Sequence, residues 1–247
     1  DPHHHLWDTG MTDSANFRKE QVEPRYLLDE LRADLGSGHN VVSTVFIECA
    51  SMYREDGPAE LRPVGETEFV NGVAAMSASG LYGPTRIAAA IIGFADLMLG
   101  DGAASVLEAH IAAGGGRFRG IRHAASWDPS PDVRNSHTNP FQGMLADATF
   151  RAGFARLAPL NMSFEGWCYH QQIPEMTALA RAFPDTTIIL NHFGGPLGVG
   201  PYAGKRDECL PQWRRDTEDL AACPNVVAKL GGINMRANGY DWDKRDK

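Results

Sequence analysis

Short runs rich in Val, Ile and Phe recur along the chain, and each gives way to a polar or glycine-containing segment. Runs of this length and composition are typical of strands that are buried on both faces. They predict six strands, at Val41–Cys49, Ile87–Phe94, Phe118–His123, Met162–His170, Thr186–His192 and Val226–Leu230. The opening segment, which contains His3, His4 and His5, is interpreted as the end of a further strand.

Amphipathic segments alternate with these runs. Leu27, Leu28, Leu31 and Leu35 share one face at helical spacing, just after Pro24. Similar stripes follow at Val106–Ile111, Phe150–Leu157 and Met176–Phe183. Regular alternation of strand and helix predicts a parallel sheet with right-handed crossovers.

The loops that leave the predicted strands are long, at 50–66, 124–140 and 193–212, whereas the loops that enter them are short. Long loops at the carboxyl ends of the strands form the active face of a (β/α)₈ TIM barrel, which takes about 250 residues. We therefore predict an α/β fold with one TIM-barrel domain over residues 1–247 that lacks its eighth strand in this chain. The rival fold, an open doubly wound sheet, favours a G-x-G-x-x-G turn that the sequence does not contain. Since the chain begins without Met and ends after the seventh predicted strand, we expect a longer natural protein.

Composition and charge argue against several classes of protein. The formal net charge is −8 and the sequence has no Lys/Arg cluster, which argues against a nucleic-acid partner. No apolar run approaches the roughly 20 residues of a membrane helix. Four cysteines without C-x-x-C spacing indicate reduced thiols in a cytoplasmic protein. We expect a small-molecule substrate as the partner, and the sequence leaves a homo-oligomer open.

Histidines fall at the ends of the predicted strands. Five of the nine do so, namely His3, His5, His123, His170 and His192. His3 and His5 are two residues apart, so both rings lie on one face of an extended strand. Several imidazoles at one face of a sheet repel when charged and lose solvation when buried, and a bound cation resolves both problems. The alternative for the opening run is a purification tag, but a tag is usually longer and followed by a flexible linker.

Three other side chains at the strand ends predict substrate contacts. Arg122, beside His123, can hold a substrate carboxylate through two parallel hydrogen bonds, or can form a salt bridge at the rim. Glu48 can support a metal-bound histidine, act as a ligand itself, or pair with a loop arginine such as Arg54. Tyr53 lies in a strand-exit loop and can line the pocket. Neither Cys49 nor Cys168 has a base placed beside it by spacing, so neither is interpreted as a nucleophile.

The stretches DPHHHLWD, VVSTVFIEC, FRGIRH, YHQQIPEMTALARAFPDTTIILNHFGGP and NVVAKLGGI resemble the amidohydrolase superfamily. The resemblance is to its amidohydrolase-2 branch, which includes sugar lactonases, 2-pyrone-4,6-dicarboxylate lactonase and sulfomuconolactone hydrolases. It implies that His3, His5 and His170 bind one divalent metal ion and that His192 contacts the attacking water or the substrate. The family's final ligand and base, an Asp after the eighth strand, has no counterpart in this sequence.

A metal site rich in imidazole suits Zn²⁺, with Mn²⁺ as an alternative, and some lactonases of this branch act without a metal. The leading hypothesis is a hydrolase that opens an acidic or sugar-acid lactone with a metal-activated water, His170 and His192 being the catalytic histidines. Arg122, His123, Glu48 and Tyr53 are the predicted substrate-binding residues. The rival hypotheses are a nonoxidative metal-dependent decarboxylase on the same scaffold and a barrel that binds a ligand without turning it over.

Overall fold

The computed structural model describes residues 1–8 and 24–239, where strands and helices alternate in the predicted order. The strands are β1 Trp7–Asp8, β2 Arg25–Tyr26, β3 Ser43–Ile47, β4 Arg86–Gly93, β5 Phe118–Ile121, β6 Ser163–Gly166, β7 Ile188–Leu190 and β8 Val226–Ala228. The α-helices are α1 Leu28–Leu35, α2 Val64–Ala78, α3 Ala103–Ala113, α4 Ala148–Phe154, α5 Ile173–Ala182 and α6 Arg206–Ala221. Each of the six predicted runs thus coincides with a strand. Five strands are shorter than their runs, whereas β4 has the same length as its run and begins one residue earlier.

The chain is divided into two compact units. The first comprises residues 1–96 and 102–122, and the second comprises residues 97–101 and those from 123 onward. In the first unit β3, β4 and β5 are neighbours in a parallel arrangement. In the second unit β6, β7 and β8 pair in parallel with the register Phe164–Ile188–Val226. The parallel α/β prediction is confirmed, whereas the closed barrel and the single domain stay predictions.

The opening segment joins the sheet of the first unit as its residues predict. His4 forms a parallel bridge with Phe46 of β3. The backbone N–H of His4 donates to Val45 O at 3.1 Å, and the N–H of Ile47 donates to His4 O at 2.9 Å. Because side chains alternate along an extended segment, His3 and His5 lie on the face opposite to His4.

Two helices were missed by the apolar pattern. In α2 the buried stripe contains Glu66, Thr67 and Ser77 beside Val70 and Val73, so its helical spacing does not appear among apolar residues alone. In α6 only Leu220 is buried, and the other residues are largely polar. A helix that is polar on most sides carries no amphipathic signal. The short antiparallel pair β1–β2 was also not predicted.

Aromatic rings fill the core of the second unit. Phe150, Phe154 and Phe164 are fully buried. The Phe154 ring lies 5.1 Å from that of Phe164 and 4.9 Å from that of Phe183, measured between centroids. This cluster packs α4 against β6 and thereby supports the end of β6, from which the segment with His170 departs.

None of the helices in residues 1–8 and 24–239 combines the length and the apolar character that crossing a membrane requires.

We predict that Phe154→Ala lowers the free energy of unfolding by about 3–5 kcal/mol, because it leaves a cavity in this aromatic cluster. The control Phe141→Ala removes a ring that is 40% exposed, and we expect a change within about 0.5 kcal/mol. Urea denaturation followed by circular dichroism measures both variants. Equal losses in the two variants would contradict the described core.

Candidate active site

His3 and His5 of the first unit form a close pair of rings. Their Nε2 atoms are 3.2 Å apart, and the rings meet edge to face with centroids 4.9 Å apart. Two nitrogens bound to one tetrahedral zinc ion at about 2.0–2.1 Å lie about 3.3 Å from each other. The spacing of this pair therefore fits two ligands of a single metal ion.

A hydrogen bond to the sheet fixes the orientation of His5. Its Nδ1 atom lies 2.7 Å from the carbonyl oxygen of Ile47, the last residue of β3. A carbonyl oxygen only accepts, so Nδ1 donates, and in the neutral ring Nε2 keeps its lone pair. Metal-binding histidines commonly donate their second N–H to a carbonyl in this manner. The donor chemistry of His5 thus fits a metal ligand.

A cavity of about 410 Å³ adjoins this pair, and His3, His5, Trp7 and Tyr26 are among its lining residues. The rings of Trp7 and Tyr26 stack at a centroid distance of 5.0 Å. This stack gives the cavity one aromatic wall, where an apolar face of a small molecule can pack.

Glu48 and Arg122 pair with each other in the interior of the first unit. Arg122 Nε donates to Glu48 Oε1 at 2.6 Å, and Arg122 Nη2 donates to the carbonyl oxygen of Glu48 at 2.6 Å. Glu48 is fully buried and Arg122 is 7% exposed. Each residue thus forms a salt bridge, as the sequence allowed, but the bridge is buried and not at the rim. Arg54, the loop arginine suggested as a partner for Glu48, pairs with Glu68.

Tyr53 lies in the segment that leaves β3. Burial, together with the carboxyl groups of Glu66 and Glu48, raises the pKa of Tyr53 well above its usual value. Its hydroxyl oxygen is buried and has no hydrogen-bond partner among the residues that the structure describes. The predicted contact of Tyr53 with substrate stays a prediction.

His170 in the second unit has the opposite tautomer to His5. The backbone N–H of Leu197 donates to His170 Nδ1 at 3.3 Å, and burial lowers the pKa of His170 below its usual value. This hydrogen bond favours the neutral tautomer with its proton on Nε2. A backbone hydrogen bond with Gly195 acts on the same ring and raises its pKa, against the effect of burial. Metal binding by Nε2 would require the hydrogen bond from Leu197 to break, so the metal role of His170 stays a prediction that the Leu197 contact does not favour.

His192 begins a turn with unusual backbone angles. His192 and Phe193 have φ values of 51° and 56°, and Gly194 and Gly195 follow at 65° and 44°. A left-handed conformation is unfavourable for residues with a Cβ atom. The indole N–H of Trp213 donates to Phe193 O at 2.7 Å, which helps to hold the turn.

The ring of His192 packs against the backbone of Gly232. A Cβ atom on Gly232 would lie 2.1 Å from His192 Nδ1, far inside van der Waals contact. On another side, the Trp167 ring meets the His192 ring edge to face at 5.0 Å. Only glycine at position 232 permits the observed placement of this imidazole.

A buried polar network lies directly before His192 in the chain. Lys229 Nζ is 2.8 Å from Glu165 Oε2, and the side chain of Asn191 donates to the same oxygen. All three residues are buried and lie in or directly after β6, β7 and β8. Because one carboxylate joins three neighbouring strands, it anchors Asn191 and hence the start of the His192 turn.

His123 is almost fully buried, and its Nδ1 accepts from the backbone N–H of Leu97 at 3.1 Å. Its ring lies 5.4 Å from that of Phe150, between centroids, at the edge of the aromatic cluster. Its predicted contact with substrate stays a prediction.

The described residues contain no group of three His, Cys, Asp or Glu side chains suited to hold a metal ion. His3 and His5 form a pair within the first unit, and the three-histidine centre stays a prediction. Sequence reasoning missed Gly232 and Glu66. Glu66 follows Pro63 and falls in the first turn of α2, which is a signal for a helix start that the loop assignment at 50–66 passed over.

Known proteins resemble this chain in sequence. The sequence profile of the amidohydrolase family matches residues 1–246. The uncharacterized protein y4mH of Sinorhizobium fredii is 29% identical over 253 residues, which cover 98% of this chain and 74% of that protein. L-fucono-1,5-lactonase of Burkholderia multivorans is 29% identical over 154 residues, which cover 62% of this chain and 46% of the lactonase.

Solved structures also resemble this chain. An amidohydrolase of Burkholderia multivorans with bound zinc has a TM-score of 0.68 and 25% identity, covering 96% of this chain and 71% of that chain. A probable 2-pyrone-4,6-dicarboxylic acid hydrolase of Acinetobacter baumannii shares the fold, with a TM-score of 0.52. It is 10% identical, and the match covers 98% of this chain and 87% of that chain. With a profile match over nearly its whole length, the chain belongs to the amidohydrolase family of hydrolases.

Proposed function

We propose that this protein hydrolyses the ring ester of a lactone. The observation that carries the proposal is the His3–His5 pair, whose spacing and His5 tautomer fit a metal ion that activates water. The relatives named as lactonases support lactones as the substrate class at the level of the family. The matched segment covers 62% of this chain and 46% of one such lactonase.

Zinc is the metal we propose, because imidazole ligands suit it and a related amidohydrolase binds it. A zinc ion held by His3 and His5 would, when bound, lower the pKa of a water molecule and polarise a carbonyl group. The Ile47 carbonyl keeps the His5 lone pair directed towards His3.

The remaining histidines supply hydrogen bonds to the reacting groups in this proposal. The water oxygen bonds to the carbonyl carbon, the ring C–O bond breaks, and the proton that the water loses passes to the leaving oxygen, which gives a hydroxy acid. The Nε2–H of His170 is suited to donate to the carbonyl oxygen as negative charge develops there. His192, on its rigid turn, contacts the attacking water or the substrate.

The buried Arg122–Glu48 pair indicates whether the lactone carries a free carboxylate. Glu48 already binds two nitrogens of Arg122, so a substrate carboxylate would have to compete with a buried ion pair. Breaking such a pair is strongly unfavourable, because the remaining charge is left without compensation. Of the two predicted classes, we therefore infer a neutral, hydroxylated sugar-acid lactone and not a lactone that carries a free carboxylate.

We predict that His5→Ala lowers kcat/KM for lactone hydrolysis by at least about 100-fold and lowers zinc affinity by more than about tenfold, since it removes a ligand. His137→Ala, at an exposed loop histidine, is the control and keeps both values. A pH-indicator assay and elemental analysis measure the two effects. Full hydrolysis by the His5 variant would refute the proposal, and release of CO₂ without net acid would indicate the decarboxylase instead.

We predict that Gly232→Ala lowers kcat/KM by about 100-fold, because the new methyl group displaces the His192 ring. Gly231→Ala is a matched control, since a Cβ atom there meets nothing within 4 Å. Steady-state kinetics on folded protein compare the two variants. Similar activity in both would show that the position of His192 does not matter for the reaction.

We predict that a neutral sugar lactone gives a kcat/KM at least about tenfold above that of a lactone of equal size with a carboxylate, a difference of about 1.4 kcal/mol. A panel of such pairs assayed at one pH and ionic strength tests this. A consistent preference for the carboxylated member would contradict the inference from the Arg122–Glu48 pair.

A further inference from the structure

We propose that Glu66 is a positioning residue whose carboxyl group holds the segment leaving β3 in the shape that places Glu48 and Tyr53 for substrate binding. The segment is residues 48–53, and Glu66 lies in the first turn of α2. The effect on substrate rests on the proposed lactone hydrolysis, whereas the structural clamp can be tested without it.

One oxygen atom of Glu66 binds two backbone amides of this segment. Oε1 accepts from the N–H of Cys49 at 3.0 Å and from the N–H of Ser51 at 2.8 Å. Ala50, between them, has φ 57°. A left-handed residue flanked in this way turns successive N–H groups towards one point, which is the geometry that binds a carboxyl oxygen.

The segment needs such a clamp because its backbone is unfavourable by itself. Both Ala50 and Met52 adopt positive φ values, 57° and 54°, although each carries a Cβ atom. Residues of this kind persist where surrounding contacts fix them, and they are common beside functional sites. Removal of the two Glu66 hydrogen bonds should therefore let the segment relax.

Helix α2 also approaches the segment through the neighbouring glycine. A Cβ atom on Gly65 would lie 2.6 Å from Met52 O and 2.8 Å from Arg54 N. The start of α2 thus lies directly against the backbone of the segment, and Glu66 reaches its amides from there. Glu66 itself is 1% exposed, so its contacts are shielded from water.

The two ends of the clamped segment carry predicted substrate-binding groups. Glu48 starts it and holds Arg122 through its side chain and its carbonyl oxygen. Tyr53 ends it, with a buried hydroxyl that has no partner in the described part of the chain. A shift of the segment would therefore move these groups together and weaken substrate binding more than the chemical step.

The reach of the Glu66 side chain matters here more than its charge. Burial and the nearby Glu48 carboxylate raise the pKa of Glu66 to about 8, which disfavours the charged form of this carboxyl group. Cys49, Tyr53 and Arg122 are the other titratable groups around this cluster. A neutral carboxyl oxygen accepts hydrogen bonds from amides, and so does the amide oxygen of glutamine at the same distance.

The test compares variants that separate reach from charge. Glu66→Gln keeps the reach and loses the ionisable group, whereas Glu66→Asp keeps the carboxyl group and is one methylene shorter. We expect Glu66→Asp to raise KM for the lactone about tenfold with kcat within about threefold, and Glu66→Gln to keep both within about threefold of wild type. Glu68→Asp and Glu68→Gln, at an exposed glutamate of the same helix that pairs with Arg54, are matched controls that leave kinetics unchanged.

Amide hydrogen exchange provides a readout that does not need activity. The Cys49 and Ser51 amides should exchange faster in Glu66→Asp than in wild type and Glu66→Gln. Wild-type KM and exchange in Glu66→Asp, or an impairment of Glu66→Gln equal to that of Glu66→Asp, would overturn the proposal. If wild-type protein hydrolyses no lactone, the proposed function fails, and the exchange rates alone still decide whether Glu66 clamps the segment.

Discussion

The hydrogen bond from His5 Nδ1 to the Ile47 carbonyl is the contact on which the proposed chemistry depends. It sets the tautomer of His5, and thereby leaves a lone pair on the nitrogen that faces His3. At His170 the partner of Nδ1 is a backbone N–H from Leu197, which favours the tautomer with its proton on Nε2. Backbone groups at the strand ends thus divide the histidines into one that is suited to bind a metal ion and one that is suited to stabilise a developing oxyanion.

Backbone conformations that disfavour ordinary side chains occur directly after two of the strands. Ala50 and Met52 follow β3, and His192 and Phe193 follow β7, all with positive φ values. In each case a neighbouring element compensates for the conformation: Glu66 binds the first turn through its amides, and Trp213 binds the second through Phe193 O. Such turns aim side chains in directions that a regular strand exit does not offer, and residues in these conformations are common at functional sites.

Sequence reasoning placed the six strands because each carries a short apolar run. Burial accounts for such a run at β7 Ile188–Leu190, whereas β8 is apolar although Val227 is 54% exposed. Sequence reasoning also placed the His3–His5 pair, because alternation in an extended segment is fixed by geometry. It missed α2, because buried Glu66, Thr67 and Ser77 interrupt the apolar stripe, and it could not foresee the Arg122–Glu48 partnership across 74 residues of chain. The tautomers of His5 and His170 could not be predicted from the sequence either, because they depend on which backbone group each ring contacts.

The most direct test of this account is ¹⁵N NMR of histidine-labelled, metal-free protein at a pH where the rings are neutral. The chemical shifts of the two ring nitrogens identify which one carries the proton. The account predicts the Nδ1–H tautomer for His5 and the Nε2–H tautomer for His170. An Nε2–H tautomer at His5 would contradict it, because the nitrogen that faces His3 would then have no lone pair to offer a metal ion.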